Sequence, residues 1–411
     1  MHFFSDLKNI NMAVWLRFLL ILALITIIEV PGFLAAQTEA EPASQPAAPA
    51  VRPANPPKTF LLVVPQSGSL ADLGQQARQG AEVALKTWGG GFNLKVIGEG
   101  ELTPEEVDFS KVAVVIGYFT ESAFYQDAPR YLYLKKPVLL PYLTNPEAAA
   151  RGHSFYRLMA GYDEQGSFMA MEMLGMKTRP GRILIIQGAG PNQAALVDTL
   201  KKTLAEPVQP EAPPADSGQK NRKTPARVRP LDSKAQIVTV DLNQALEPDS
   251  IKEFGKRTPD LIIMAVDLGE ALKLAPILAD SKFAKTPLWG GVNLGFREAG
   301  AAFASLKLRL SLCVPTINPV QASPKALLDF KNRYVDTWRT QPTWISALSY
   351  DAMNMAIKAA ANAEEGGDMN TFLVSQKHYC LGTYELAAGV QGGKLPLGLM
   401  PVRTETLGFL P

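Results

Sequence analysis

The stretch "VVIGYFTES", residues 114–122, runs from apolar side chains through a glycine into Thr120, Glu121 and Ser122. Its apolar part reads as a strand buried on both faces, with the polar residues at its carboxyl end. In open α/β sheets that end faces the ligand crevice, so this reading sets both the fold and the place to look for a site. Outward from it, further short apolar runs recur at "TFLLVV" (59–64), "FNLKVIG" (92–98), "PVLLPY" (137–142), "SFYRL" (154–158), "RILIIQ" (182–187), "QIVTV" (236–240), "DLIIMAV" (260–266), "PLWGG" (287–291) and "RLSLCVP" (309–315). Helical patterns separate them: 71–88, a stretch to about Leu134, 162–176, 191–203, a short one near 249–256, and 268–280. Long helices at 323–340 and 344–364 follow, and two short extended pieces close the chain. Buried strands alternating with amphipathic helices predict α/β structure: two doubly wound parallel-sheet lobes, from the successive sets 58–158 and 159–315.

A length of 411 residues accommodates two such lobes, and 47% hydrophobic with 19% charged residues is ordinary for a globular chain. The net charge of +2 provides no electrostatic footprint for nucleic acid or an acidic membrane surface. Near the N-terminus, Lys8 and Arg17 precede "FLLILALITII" (18–28), and Ala35 and Ala36 follow. Eleven helical residues reach about 16 Å, roughly half of a bilayer core, so residues 1–37 read as a signal peptide, with Met12 an alternative start. An uncleaved anchor lengthened by Val30, Phe33 and Leu34 is the other reading. No cysteine stands just after the apolar run for lipid attachment. Either way the expected location is periplasmic. Residues 38–57 are rich in Pro and Ala and read as a disordered tether. The proline-broken, polar stretch 205–230 reads as a solvated insertion.

Catalytic signatures are missing: there is no GxSxG, HExxH, GxxxxGK[ST] or paired CxxC. "QGAGPNQ" (187–193) lacks the third glycine of a dinucleotide fingerprint, and His153 and His378 have no visible ligand set. The chain therefore reads as a non-enzyme with no cofactor or metal. Three strand-end loops remain: "PQSGSLADLG" after residue 64, "YFTES" after 117 and "YLTNPE" after 141. Their hydroxyls and small residues either cap the helices that follow or line a ligand cleft.

The stretch "LLVVPQSGSLADLGQQARQGAEVAL" (61–85) resembles the opening of the leucine-binding-protein family, the type I periplasmic solute-binding proteins of ABC transporters. "VVIGYFTES", "KKPVLLPYLTNPE", "RTQPTWISALSYDAMNMAIKAA" and "CLGTYEL" fit in order, covering about 58–411 apart from the insertion. The resemblance implies two lobes joined by a three-segment hinge that close over a small ligand. The crossings then fall near 156–162, 311–316 and 379–383, so that lobe one is 58–158 plus 316–380 and lobe two is 159–315 plus 381–411. Cys313 and Cys380 then both sit at crossings, either as a disulfide or as two buried free thiols. Binding would use Ser67, Ser69, Thr120, Ser122, Tyr142, Leu143 and Thr144 from lobe one, with Tyr162, Asn192 and Asp267 from lobe two; Glu270 is an alternative to Asp267. Glu121 aligns where the family's amino-acid binders hold the ligand carboxylate with a serine, and facing a carboxylate it would cost about a kcal/mol or more if desolvated. It either favours a cationic or polyhydroxyl ligand or is a first-turn helix acid pointing to solvent. The implied function is capture of a small polar solute, an amino acid or a related amide or amine, by a monomer that serves an ABC-transporter permease. The alternative is a non-transport periplasmic sensor or envelope-enzyme activator on the same fold.

Overall fold

The computed structural model describes residues 58–103, 107–206, 231, 235–247, 258–295, 297–315, 324–387 and 397–401. The expected signal peptide, tether, insertion and helix near 249–256 lie essentially outside these residues. Strands β1 (Lys58–Val63), β2 (Phe92–Ile97), β3 (Val112–Gly117), β4 (Val138–Leu140) and β5 (Phe155–Arg157) form one sheet in the order β2-β1-β3-β4-β5. All of its pairs are parallel. A second sheet is built from β6 (Arg182–Gln187), β7 (Gln236–Asp241), β8 (Leu261–Ala265), β9 (Leu288–Gly290), β10 (Leu310–Pro315) and β13 (Leu397–Pro401), ordered β13-β10-β9-β8-β6-β7. Only β13 runs antiparallel to its neighbour.

The apolar runs become strands because helices cover both faces of each sheet. Phe60, Leu62 and Val64 point into one core layer, whereas Leu61 and Val63 point into the other with Phe124, Tyr131 and Phe155. In the second sheet Leu184 and Ile186 face one layer, and Ile183 and Ile185 face Met169, Leu196 and Leu200 across the sheet. Helix Ala71–Trp88 packs on helix Trp344–Glu364. Small residues allow this: a Cβ on Gly80 would lie 1.9 Å from the Ser346 carbonyl oxygen. The long helix starts at Thr343, whose hydroxyl accepts the Ser346 N–H while the Ser346 hydroxyl accepts the Thr343 N–H.

The turn that ends β3 is the tightest point of the first sheet. Gly117 has φ +143, and a Cβ there would stand 2.0 Å from the Val63 carbonyl oxygen. Tyr118 follows with φ +70, donates its N–H to that same carbonyl at 2.9 Å, and drops its ring into the core. Its hydroxyl donates to Asp127 at 2.8 Å and contacts the Tyr131 hydroxyl. That full set of partners is what keeps a non-glycine residue in a left-handed conformation.

Two expectations are corrected. The first concerns the last crossing. Strands β11 (His378–Tyr379) and β12 (Thr383–Tyr384) pair only with each other, and Asp351 of the long helix holds their turn. Its buried carboxylate accepts the N–H groups of Leu381 and Gly382 and the Tyr384 hydroxyl, each at 2.8 Å. Residues 378–384 are thus held against the long helix Trp344–Glu364 by Asp351. The second decides between the two readings of the cysteines: both are free thiols, Cys313 buried and Cys380 half-buried. Cys313 is buried in the second sheet's outer layer, whereas Cys380 packs against the other core and approaches the Asp351 carbonyl at 3.9 Å.

Two outcomes follow from these contacts. Gly117→Ala is expected to lower stability by about 2 kcal/mol or more, since it meets backbone and demands a positive φ; a denaturant midpoint equal to the wild type would contradict the tight turn. Burial lifts the Asp351 carboxyl to about 7 despite its three donors, with Lys358 nearby and Cys380 and Tyr384 remaining protonated. A carboxyl raised on folding favours the native state most when protonated, so its contribution falls as pH rises from about 4 to about 7. His378, buried and lowered, acts in the opposite sense at acid pH. Comparing Asp351→Asn with wild type isolates the carboxyl: the variant's stability should lack this fall, as chemical denaturation across that range will read.

Candidate functional site

The parallel strands of both sheets end on polar loops, and these loops carry several sequence-predicted residues. Thr144 lies in the loop after β4, and Tyr162 opens helix Tyr162–Gly175 of the second lobe. Asp267 caps helix Leu268–Ala279. Burial pushes the Tyr162 hydroxyl up to about 12, with the Asp267 and Glu121 carboxylates adding in the same sense and Thr144 opposing.

Local structure fixes each carboxylate. Glu121 is half-buried in the first turn of helix Glu121–Tyr133, as the first-turn reading expects, but it does not simply point to solvent. Asn145 donates to it at 3.0 Å through Nδ2, while the Oδ1 of the same residue accepts the Glu147 N–H at 2.9 Å and caps helix Pro146–Ala150. Tyr125 donates weakly to the same carboxylate oxygen at 3.5 Å, and the Arg151 guanidinium lies 3.9 Å over the Tyr125 ring. Asp267 is exposed, and Gln193 donates to it at 2.5 Å. Glu270 instead folds back to accept the Asp267 N–H at 2.7 Å, which commits it to capping.

Other predicted residues are placed elsewhere. Tyr142 is 7% exposed, stacks on Phe119 with ring centroids 4.0 Å apart, and donates to the Ile345 carbonyl at 3.3 Å. Leu143 is buried in the opposite layer beside Phe124 and Phe155. Both are core residues, because the turn after β4 leaves their large apolar surfaces facing packed neighbours. Ser67 and Ser69 are exposed around the short turn Gly68–Leu70, and Ser122 is exposed. Asn192 is half-buried in the first turn of helix Pro191–Ala205, but its neighbour Gln193 makes the bond to Asp267. Thr120 donates its hydroxyl to Glu99 at 2.7 Å, and the Phe119 N–H donates to the other oxygen of that carboxylate. Gln193, Asn145 and Glu99 escaped the sequence reading, since each acts on a residue 20 or more positions away. For Asn145 alone a local signal existed, as the cap before Pro146.

Two contacts span the lobes beside this cluster. Arg157 ends β5 with its side chain 2% exposed; its Nη1 donates to the Thr144 carbonyl at 3.1 Å and pairs with Glu164 at 2.8 Å. Glu164 also accepts the Gly161 N–H at the start of the second lobe's first helix. The Trp344 indole N–H donates to the Gly295 carbonyl at 3.0 Å, joining the long helix to the loop beyond β9.

Solved structures share this architecture. A putative branched-chain amino acid ABC transporter protein from Rhodospirillum rubrum superposes with a TM-score of 0.59 at 15% identity, covering 84% of this chain and 97% of that one. This is the type I periplasmic-binding-protein fold. The branched-chain amino acid transporter substrate-binding protein LivJ from Streptococcus pneumoniae, solved with isoleucine, matches at TM-score 0.58 and 15% identity, covering 84% and 99%. A solute-binding protein of an ABC transporter from R. palustris, solved with benzoate, matches at TM-score 0.58 and 15% identity over 84% and 93%. No protein-family model matches the chain, and no curated protein sequence matches it. Among the described residues there is no metal-holding cluster and no helix long and apolar enough to cross a membrane.

Glu164→Gln tests the buried pair. It leaves the Arg157 guanidinium without its carboxylate, and the expected loss is about 2 kcal/mol, moderated because Glu164 is 33% exposed. A thermal melt indistinguishable from wild type would show that water replaces the carboxylate.

Proposed function

We propose that the chain is an exported solute-binding protein that captures a small polar ligand between its two lobes for an ABC-transporter permease. What carries this reading is the fold shared with ABC-transporter substrate-binding proteins, together with polar groups at strand ends of both sheets: Glu121 and Thr144 follow β3 and β4, and Asp267 follows β8. Parallel sheets place their ligands at such edges, and groups contributed by both lobes couple binding to closure. The chemistry on offer is binding: a phenol, a hydroxyl and two carboxylates, with no nucleophile paired to a base. The neighbours of like fold are described as ABC-transporter substrate-binding proteins, which supports the same role here.

A second reading is a sensor or envelope-enzyme activator that uses the fold without transport. It is favoured by the commitment of Tyr142, Leu143 and Thr120 to internal contacts, which leaves fewer groups for a ligand. Calorimetry against amino acids, amides, amines and sugars separates the two. Saturable 1:1 heat with one class, weakened at least tenfold by Asp267→Ala, is the outcome expected for capture. Silence across the panel from folded protein, with recovery of a cell-wall synthase in a pull-down, would favour the second reading.

A further inference from the structure

The amino ends of the first sheet's strands, opposite the polar loops, gather an exposed set of aromatic, aliphatic and basic side chains. Register fixes which residues share that end. Lys58 pairs with Phe92, Thr59 with Val112 and Val115 with Val138, so Lys58, Phe92, Lys111 and Lys135 lie at about one level. Helices Ala71–Trp88, Glu121–Tyr133 and Trp344–Glu364 all finish there. The last is held by Lys58, whose ammonium donates to the Ala360 carbonyl at 2.8 Å and meets Glu364 at 3.4 Å. The final turns of the other two leave Trp88 and Leu132 exposed, and Tyr133 86% exposed. Lys86 and Lys135 are exposed beside them, and Lys136 is half-buried. Acids are present too, but Asp108 and Glu364 are each paired with a lysine. The whole-chain balance of +2 conceals this local concentration of lysines.

A lone exposed apolar side chain needs no explanation, and a lysine in a helix's last turn suits its dipole. What sets this end apart is that the chain enters the sheet there, at Lys58. Upstream stand residues 29–57 and then the apolar run 18–28. Those 29 intervening residues reach on the order of 30 Å as a coil and about 90 Å in polyproline form. At either length this end is the part of the lobe closest to whatever holds the run. We propose that the amino end of the first sheet is a lipid-docking face: with residues 18–28 held in a bilayer, Trp88, Leu132 and Tyr133 enter the headgroup region of an anionic membrane, and Lys86 and Lys135 lie against its phosphates. Tyrosine and tryptophan suit that boundary because an apolar ring carries a polar tip. Lysine stems cover apolar surface while their ammonium groups stay among the headgroups. The covalent link raises the local concentration of the face, so contacts too weak to hold a free protein suffice. The polar loops at the carboxyl ends of β1, β3 and β4 then point away from the lipid. The inference does not depend on what those loops bind.

Hydroxyl-radical footprinting of the full chain reads the face directly. With vesicles of phosphatidylethanolamine and phosphatidylglycerol, oxidation of Trp88 and Tyr133 should fall about threefold or more. Tyr379, also exposed but on the hairpin held by Asp351, should be unchanged. Tyr133→Ser combined with Lys135→Asn should abolish the protection of Trp88, while the chain still sediments with the vesicles through residues 18–28. Tyr133 is too exposed for its loss to threaten folding, and asparagine tolerates the φ of +50 at residue 135. Exchanging phosphatidylglycerol for phosphatidylcholine should reduce the protection. The proposal is overturned by a full chain that does not sediment with the vesicles, by equal protection of Tyr379, or by Trp88 still protected in the double variant. Protection that is undiminished without anionic lipid overturns it as well. So does protection that appears only when membrane proteins are added, which would assign the face to a protein partner. No arm uses a solute, so failure here leaves the solute-binding reading untouched, and a silent calorimetric panel leaves this face untouched.

Discussion

The Val63 carbonyl is the point on which the first lobe depends. It lies between β1 and β3, accepts the Tyr118 N–H, and leaves no room for a side chain on residue 117. From that one constraint the rest of the edge follows. Gly117 must be glycine, Tyr118 must turn left-handed, and its ring must go inward to the Asp127 and Tyr131 partners. Phe119 is then carried against Tyr142, and the chain enters its helix with Glu121 in the first turn. The polar residues after the strand are half-buried, Thr120 held by Glu99 and Glu121 by Asn145.

What could be read from the residues was what repeats over short distances. Runs such as "LLVV" and "ILII" are apolar without alternation, and only burial on both faces suits them, so two parallel sheets were legible. Thr144 was offered by its place after a strand end, and Asp267 by the family resemblance; the structure puts Thr144 in the loop after β4 and Asp267 at the start of the helix after β8. The failures are all long-range. The turn at residues 380–382 reads as a crossing until Asp351, some thirty residues earlier, is seen to hold it. Tyr142 carries a hydroxyl and sits in a polar loop, yet its ring is claimed by Phe119 and the long helix. Gln193 and Glu99 act through partners that no local pattern announces.

The two lobes present their acidic groups in like fashion. The first contributes Glu121, steadied by an asparagine that simultaneously caps a helix. The second contributes Asp267, steadied by Gln193 and by the capping box it shares with Glu270. Amide donors fix such groups in place while leaving their charge uncompensated, whereas a lysine or arginine partner would neutralise it.

The Arg157 guanidinium ties two distant segments to one point. A single nitrogen serves the backbone oxygen of Thr144 and the side chain of Glu164, so the loop after β4 and the first helix of the second lobe share one anchor. Displacing either segment must strain or release the other, because free-energy coupling between two events is reciprocal. A probe placed on either side of the guanidinium then reports on both.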